Sequence, residues 1–230
     1  MNILNIEHVS KIYGDKTIFD DISFGIQQGD KIGIIGINGT GKTTFLKIMA
    51  GIEEPDEGQV VRQNGLRISF LPQHPIFPEG ATVLSYVAGE KKGEDWIPET
   101  EAKMVLNKLG IQNHEEEISH LSGGQKKRAA LAAVLVNPAD ILILDEPTNH
   151  LDNKMAEWLE DYLNRFKGTV IMVTHDRYFL DRVTNKILEI SHGKVYGYEA
   201  KYSRFLEMKA EREEMELASE RKRQSILRIE

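Results

Sequence analysis

The chain has 230 residues, 40% of them hydrophobic, no cysteine and a formal charge of −7. That length and apolar content suit one large α/β domain or two small ones with a buried core, and the missing cysteine excludes disulfide support and thiol chemistry. Residues 201–230 hold eight Lys/Arg and seven Glu, leaving 21 basic against 29 acidic residues (−8) in residues 1–200, so the body is too acidic for general adhesion to nucleic acid.

The N-terminus, Met1-Asn2-Ile3-Leu4, lacks the basic-then-apolar layout of a signal peptide, and the longest apolar run, Ala129 to Val136, is too short to cross a bilayer. Together with the absent cysteine this predicts a cytoplasmic protein without direct membrane insertion. Ile3 to Val9 and Thr17 to Phe24 read as two antiparallel strands joined at Tyr13-Gly14-Asp15-Lys16. The apolar run Lys31 to Ile35 reads as a strand, followed by Gly36-Ile37-Asn38-Gly39-Thr40-Gly41-Lys42-Thr43-Thr44 and a helix from Phe45 to Ala50. Strand, glycine loop and helix in that order make a phosphate cradle. Gly36, Gly39 and Gly41 let backbone amides from Gly36 to Thr44, including those of Asn38 and Thr40, turn toward one point at the positive end of the helix. Lys42 supplies a positive charge for β- and γ-phosphates, and the Thr43 hydroxyl is the kind of hard oxygen that Mg²⁺ prefers.

A second strand pair is expected at Gln59 to Arg62 and Leu66 to Leu71, ending at Pro72-Gln73. Residues 74–120 carry short helical patterns, Val83 to Ala88 and Glu101 to Leu109, around an exposed middle at Lys91 to Asp95. A helix from Lys126 to Val136 follows Leu121-Ser122-Gly123-Gly124-Gln125, with Ser122 placed as its N-cap. Ile141 to Leu144 is apolar on both faces, as a central parallel strand requires, and ends in Asp145-Glu146. Helix Lys154 to Phe166, strand Thr169 to Val173 and His175 continue an α/β alternation, and strands near Lys186 to Ile190 and Lys194 to Tyr198 close the body. In the tail, Tyr202, Phe205 and Leu206 have helical spacing for docking, while ten of the fifteen residues from Lys209 to Arg223 are charged. The charged pattern reaches the last residue without a cap, as in a chain that continues; a solvated C-terminal helix is the alternative reading.

Asp145 lies at the carboxyl end of a buried strand, where an open α/β sheet presents its site, and can hold Mg²⁺. Glu146 beside it can take a proton from, or orient, an attacking water. Gln73 and His175 also follow strand ends, where an amide reaches metal and water and an imidazole reaches a γ-phosphate; each taken alone reads as structural before it reads as functional.

The set Gly36 to Thr43, Gln73, Leu121 to Gln125, Ile141 to Glu146, Leu151-Asp152 and His175, in this order, resembles a complete ATP-binding cassette (ABC) domain over roughly residues 1–200. The resemblance implies a P-loop α/β fold with a mixed central sheet, an antiparallel β-subdomain and a small helical subdomain at about 74–135. It also implies ATP/ADP and Mg²⁺ as cofactors and ATPase activity. By position it makes Tyr13 the adenine-stacking aromatic, with a strand-end hydrophobe as the alternative. Gln73 becomes the Q-loop, Asp145 the metal carboxylate, Glu146 the catalytic glutamate, Asp152 the D-loop acid and His175 the switch histidine. Metal contacts fall to Thr43, Gln73 and Asp145. In this family cassettes pair head to tail, so Ser122 to Gln125 would complete the ATP site of a second cassette, in the same protein or in a self-dimer.

Thr148-Asn149-His150-Leu151-Asp152 resembles the ABC-F class of twin-cassette proteins, and the charged residues 201–230 resemble the start of their inter-cassette linker. That class implies action on the ribosome, in translation or antibiotic protection, with RNA contact through the linker. The competing expectation is the nucleotide-binding subunit of a membrane transporter.

Overall fold

The computed structural model describes residues 1–89 and 98–227. Two long strands open the chain, β1 (Asn2–Tyr13) and β2 (Lys16–Gln27), antiparallel as expected and longer than the sequence pattern suggested. They continue past the predicted ends because the ladder absorbs register shifts at His8 and Asp21, both in the left-handed region at φ 53° and 49°. Next come β3 (Lys31–Ile35), α1 (Lys42–Ala50), β4 (Glu57–Arg62) and β5 (Ile68–Leu71). The expected pairing of β4 with β5 is wrong. β4 pairs antiparallel with β1, whereas β5 pairs parallel with β6 (Ile141–Asp145) in a different sheet. The turn at Gln63 to Leu66, with Gly65 at φ 74°, redirects the chain between sheets instead of closing a hairpin.

The first sheet therefore has the order β2-β1-β4. With β7 (Thr169–Val173), β8 (Lys186–Ser191) and β9 (Lys194–Tyr198), the second has the order β5-β6-β7-β3-β8-β9, parallel except for the β8–β9 pair. It is the mixed central sheet of an α/β fold. Side chains alternate across it with the period of a strand. Ile141, Ile143, Ile171 and Val173 join one apolar core with Ile32, Ile34, Phe45, Leu46, Ile48 and Met49. α1 is thereby enclosed between the two sheets, with the Phe45 ring 5.4 Å from Phe19 and 5.5 Å from Phe24.

Leu142, Leu144, Val170 and Met172 point the other way, into a second core with the remaining helices. These are α2 (Val83–Ala88), α3 (Glu99–Lys108), α4 (Gly123–Val136), α5 (Asn153–Arg165) and α6 (Arg177–Val183). α6 is not expected from the sequence: Tyr178 within it is 82% exposed beside the buried Phe179 and Leu180, so its apolar residues do not mark one face. The loop expected at Lys91 to Asp95 lies outside the described residues.

The last helix, α7 (Tyr202–Leu227), is about 39 Å long at the α-helical rise. Phe205 is buried against Tyr198 and Tyr202, as the spacing predicted. Leu206 does not dock; it is 48% exposed. The turn's inward direction runs through Phe205 and Met208, and on to Lys209 and Arg212, which reach the buried Glu189 of β8 at 2.5 and 3.1 Å.

Candidate active site

The glycine loop joins β3 to α1 at the carboxyl edge of the central sheet. Its shape requires glycine at two positions in particular. A Cβ on Gly41, which has φ 96°, would collide with Ile18 and stand 3.2 Å from Phe19. One on Gly36 would stand 2.7 Å from the Thr40 hydroxyl and 2.9 Å from the Ile190 carbonyl. Thr40 closes the turn by donating its hydroxyl to the Ile37 carbonyl at 2.8 Å. Lys42 curls back over the loop, and its Nζ donates to the carbonyls of Gly36 at 2.6 Å and Ile37 at 3.0 Å. Burial lowers the Lys42 pKa, opposed by the negative fields of Glu146 and Asp145. Asn38 and Gly39 form the exposed crest, where Lys16 Nζ donates to the Gly39 carbonyl at 2.7 Å; Thr44 is half-buried on α1.

Two acids stand at the end of β6. Asp145 is only 4% exposed and accepts the Thr43 hydroxyl at 2.9 Å, across 102 residues of sequence. Burial raises its pKa, and the hydrogen bond from Thr43 partly offsets this. Glu146 takes φ 54°, unusual for a residue with a side chain, and donates its N–H to the Val173 carbonyl at 2.8 Å. This turns its carboxylate toward the end of β7, where Oε1 lies 3.2 Å from His175 Nε2 and Oε2 accepts the His175 N–H at 3.3 Å. Burial raises the Glu146 pKa, with His175 pulling the other way. The Glu146 side chain is 8% exposed and the imidazole 71%, so the pair joins a desolvated carboxylate to a group open to solvent. Gln73 follows β5 and lines the same cleft as Asp145 and Glu146.

The other predicted site residues lie apart. Ser122 caps α4 in a reciprocal box: its Oγ accepts the Gln125 N–H at 3.2 Å, and Gln125 Oε1 accepts the Ser122 N–H at 2.9 Å. The amides of Gly123 and Gly124 point outward from the first turn, which has no intrahelical acceptors for them. Among the described residues no hydrogen bond joins Ser122 to Gln125 with Gly36 to Thr44. Asp152 caps α5, accepting the Met155 N–H at 2.8 Å. Tyr13, 45% exposed at the end of β1, donates its hydroxyl to Glu53 and stands over Lys11, whose Nζ is 5.4 Å from the ring centre.

Sequence reasoning used Thr148 only as part of a class motif and gave neither it nor Thr174 a place in the site; their hydroxyls meet at 2.7 Å, and Thr174 also accepts the Asp176 N–H at 3.2 Å. This bond ties the segment after Glu146 to the segment carrying His175. A threonine directly after the apolar run Val170 to Val173, between it and a histidine, was the available signal.

A profile described as ABC transporter matches residues 19–149, and a second of the same description matches 188–229. Over the whole chain, the uncharacterized ABC transporter ATP-binding protein YfmR of Bacillus subtilis is 45% identical, with 43% of its length covered. The energy-dependent translational throttle protein EttA of Escherichia coli K12 is 35% identical over 99% of this chain and 48% of its own. The chain thus spans about half the length of the curated relatives it matches. Among solved structures, the dimeric post-hydrolysis state of the ATP-binding cassette MJ0796 bound to ADP and Pi superposes with a TM-score of 0.74. It is 25% identical, over 86% of this chain and 99% of that one. An ATP-bound bacterial Atm1-family ABC exporter, 21% identical over 89% of this chain and 40% of its own, shares the fold with a TM-score of 0.76. With more than half of its 230 residues matched by the family profile, on the fold and loop just described, the chain belongs to the ABC transporter family of ATP-binding cassettes.

Proposed function

We propose that the chain is the first cassette of an ABC-F protein that binds and hydrolyses ATP and uses the closing of paired cassettes to act on the ribosome, in the cytoplasm. The observation that carries the hydrolytic part is the Glu146–His175 pair beside the Thr43–Asp145 bond. In this reading Gly36 to Thr44 wrap the phosphates, Lys42 moves from its loop carbonyls to the β- and γ-phosphates, and Tyr13 stacks on the base. Glu146 orients and deprotonates water, its basicity raised by burial, and His175 bridges the carboxylate to the γ-phosphate. Thr43, Asp145 and Gln73 offer a set of hard oxygen donors at one cleft, which fits Mg²⁺. When bound, the ion neutralises charge developing on the phosphates. The Gly123 and Gly124 amides, Ser122 and Gln125 serve the γ-phosphate of a second cassette, with Asp152 at the same junction.

The ribosomal part is supported by the likeness to EttA, a translational throttle protein, which extends over 99% of the chain. The transporter-subunit reading is supported by the ABC transporter description of both profiles and of YfmR, while the exporter structure speaks to fold alone. Glu146→Gln tests the chemistry. The variant is expected to bind ATP and lose turnover by about two orders of magnitude or more. Hydrolysis at the parent rate refutes the assignment. Turnover by the isolated chain should also rise faster than linearly with protein concentration, and a strictly linear rise refutes a site shared between cassettes.

A further inference from the structure

Arg128 lies one turn along α4 from Gly124 and was not singled out by any motif. Its Nη1 donates to the Leu109 carbonyl, at the carboxyl end of α3, at 2.8 Å, and reaches Met155 Sδ, at the start of α5, at 3.6 Å. Its Nε is buried without a hydrogen-bond partner. Among the described residues no carboxylate pairs with this guanidinium. The residue is half-buried, and a guanidinium whose buried Nε goes unpaired while Nη1 is spent on one carbonyl and a thioether is costly to keep, so its place needs a reason. The neighbouring backbone is shaped around it: a Cβ on Gly110, at φ 73°, would collide with Met155 and stand 2.7 Å from Arg128 Nη1.

Three elements meet at that point. α4 carries the amides of Gly123 and Gly124, and α3 ends in its cap, Leu109, whose carbonyl accepts the guanidinium. α5 begins at Asn153, and its cap, Asp152, accepts the Met155 N–H. A second contact closes the same unit from the front, where the His150 side chain, at φ 66°, packs on Gly124 with its ring 3.5 Å from where a Cβ would be. Arg128 also lines the wall of the cleft that holds Asp145 and Glu146.

We propose that Arg128 is a positioning residue that sets the first turn of α4, and so the Ser122 to Gln125 amides, for the partner cassette's γ-phosphate by bolting α4 to the ends of α3 and α5. This rests on the paired-cassette reading above. Donors to a developing charge must be held in place before reaction, and a shift of about 1 Å in such a group costs about two orders of magnitude in rate. Loosening Arg128 therefore lowers turnover on the partner's ATP while leaving ATP binding to the chain's own glycine loop intact.

The test separates the two sites by mixing chains. Arg128→Gln keeps its glycine loop but loosens its signature; Lys42→Ala keeps its signature but loses the phosphate-binding ammonium. In the mixture one composite site, the loop of the first chain with the signature of the second, has no defect. Turnover is expected to rise about tenfold or more above the sum of the separate chains. Fluorescent-nucleotide titration of Arg128→Gln should give a Kd within about twofold of the parent, so that kcat alone falls. Arg128→Lys, which keeps the charge and loses the fork, should recover part of the rate, and it replaces Arg128→Gln in the mixture if the latter fails to fold. A parallel mixture of Lys42→Ala with Gly124→Asp calibrates complementation. If that control recovers and the Arg128 mixture does not, or if Arg128→Gln turns over at the parent rate, the Arg128 inference is overturned and the paired reading stands. If neither mixture recovers, the paired reading is overturned and the inference falls with it.

Discussion

Glu189→Ala removes the carboxylate that anchors α7 to the central sheet. In the parent, Glu189 lies on β8 with its side chain 5% exposed; it takes Lys209 Nζ at 2.5 Å, Arg212 at 3.1 Å and the Tyr198 hydroxyl at 3.2 Å. Arg212 also lies 3.8 Å over the Tyr196 ring and pairs with Glu216 at 3.1 Å. Deleting one partner of a fully buried pair costs about 3–5 kcal/mol, because the other charge is left without a counterion in a poor solvent. Here the stranded cations are 35% and 21% exposed, so water and Glu216 take up part of their charge, and the expected loss is about 2 kcal/mol. For a chain of this size that is a fall in Tm of about 6 °C. The loss should be local before it is global: amides of α7 beyond Phe205 exchange faster in deuterium while those of β3 and β6 keep their protection. Glu207→Ala, on the exposed face of the same helix, is the control and should change stability by no more than about 0.5 kcal/mol. A Glu189→Ala melting curve within about 1 °C of the parent, with unchanged exchange along α7, would refute the anchoring argument.

Asp145→Asn should raise stability at neutral pH. Burial lifts the folded-state pKa of Asp145 above its ordinary 3.8, so the folded chain holds a proton that the unfolded chain has already released. By linkage stability falls as pH rises through that window, and the variant escapes the loss. Melting curves should show the gain at pH 7 and its disappearance toward pH 3.8; a variant no more stable than the parent at pH 7 counts against desolvation as the dominant cause. Gly41→Ala should cost about 1–3 kcal/mol and weaken ATP binding with it, because the left-handed turn and the contact with Ile18 both resist a Cβ. Parent-like affinity for a fluorescent nucleotide would show that the loop tolerates a shape the structure disallows. Thr148→Val should cost about 1 kcal/mol and slow turnover more than it weakens ATP binding, since it cuts the bond to Thr174 beside His175. Equal losses in both would assign Thr148 to packing alone.

Much of the fold could be read from local patterns. β3 and β7 were readable because a strand covered on both faces has a continuous apolar centre, Ile32 to Ile35 and Val170 to Val173, bounded by polar residues. Ser122 was readable as a helix cap because capping is chemistry between residues three apart. β4 and β5 were misjudged because side-chain alternation tells which face of a strand is buried and not which sheet it joins. Leu206 was misjudged because its helical spacing matches that of a docked residue, while the direction of docking is set by the Glu189 anchor on another element.

Residue order alone determined the glycine loop, the capped start of α4 and the α/β alternation, all of which depend on backbone preferences and contacts within a turn or two. Only the tertiary structure decided that Thr43 meets Asp145, that Glu146 faces His175 and that Arg128 joins α3 to α5. The first two contacts follow from the sheet order β6-β7-β3, which brings three strand ends to one edge, and the third from the packing of α3, α4 and α5 on one face of that sheet. That order is settled by packing two apolar cores against opposite faces of one sheet, a balance summed over the whole chain that no short stretch of sequence carries.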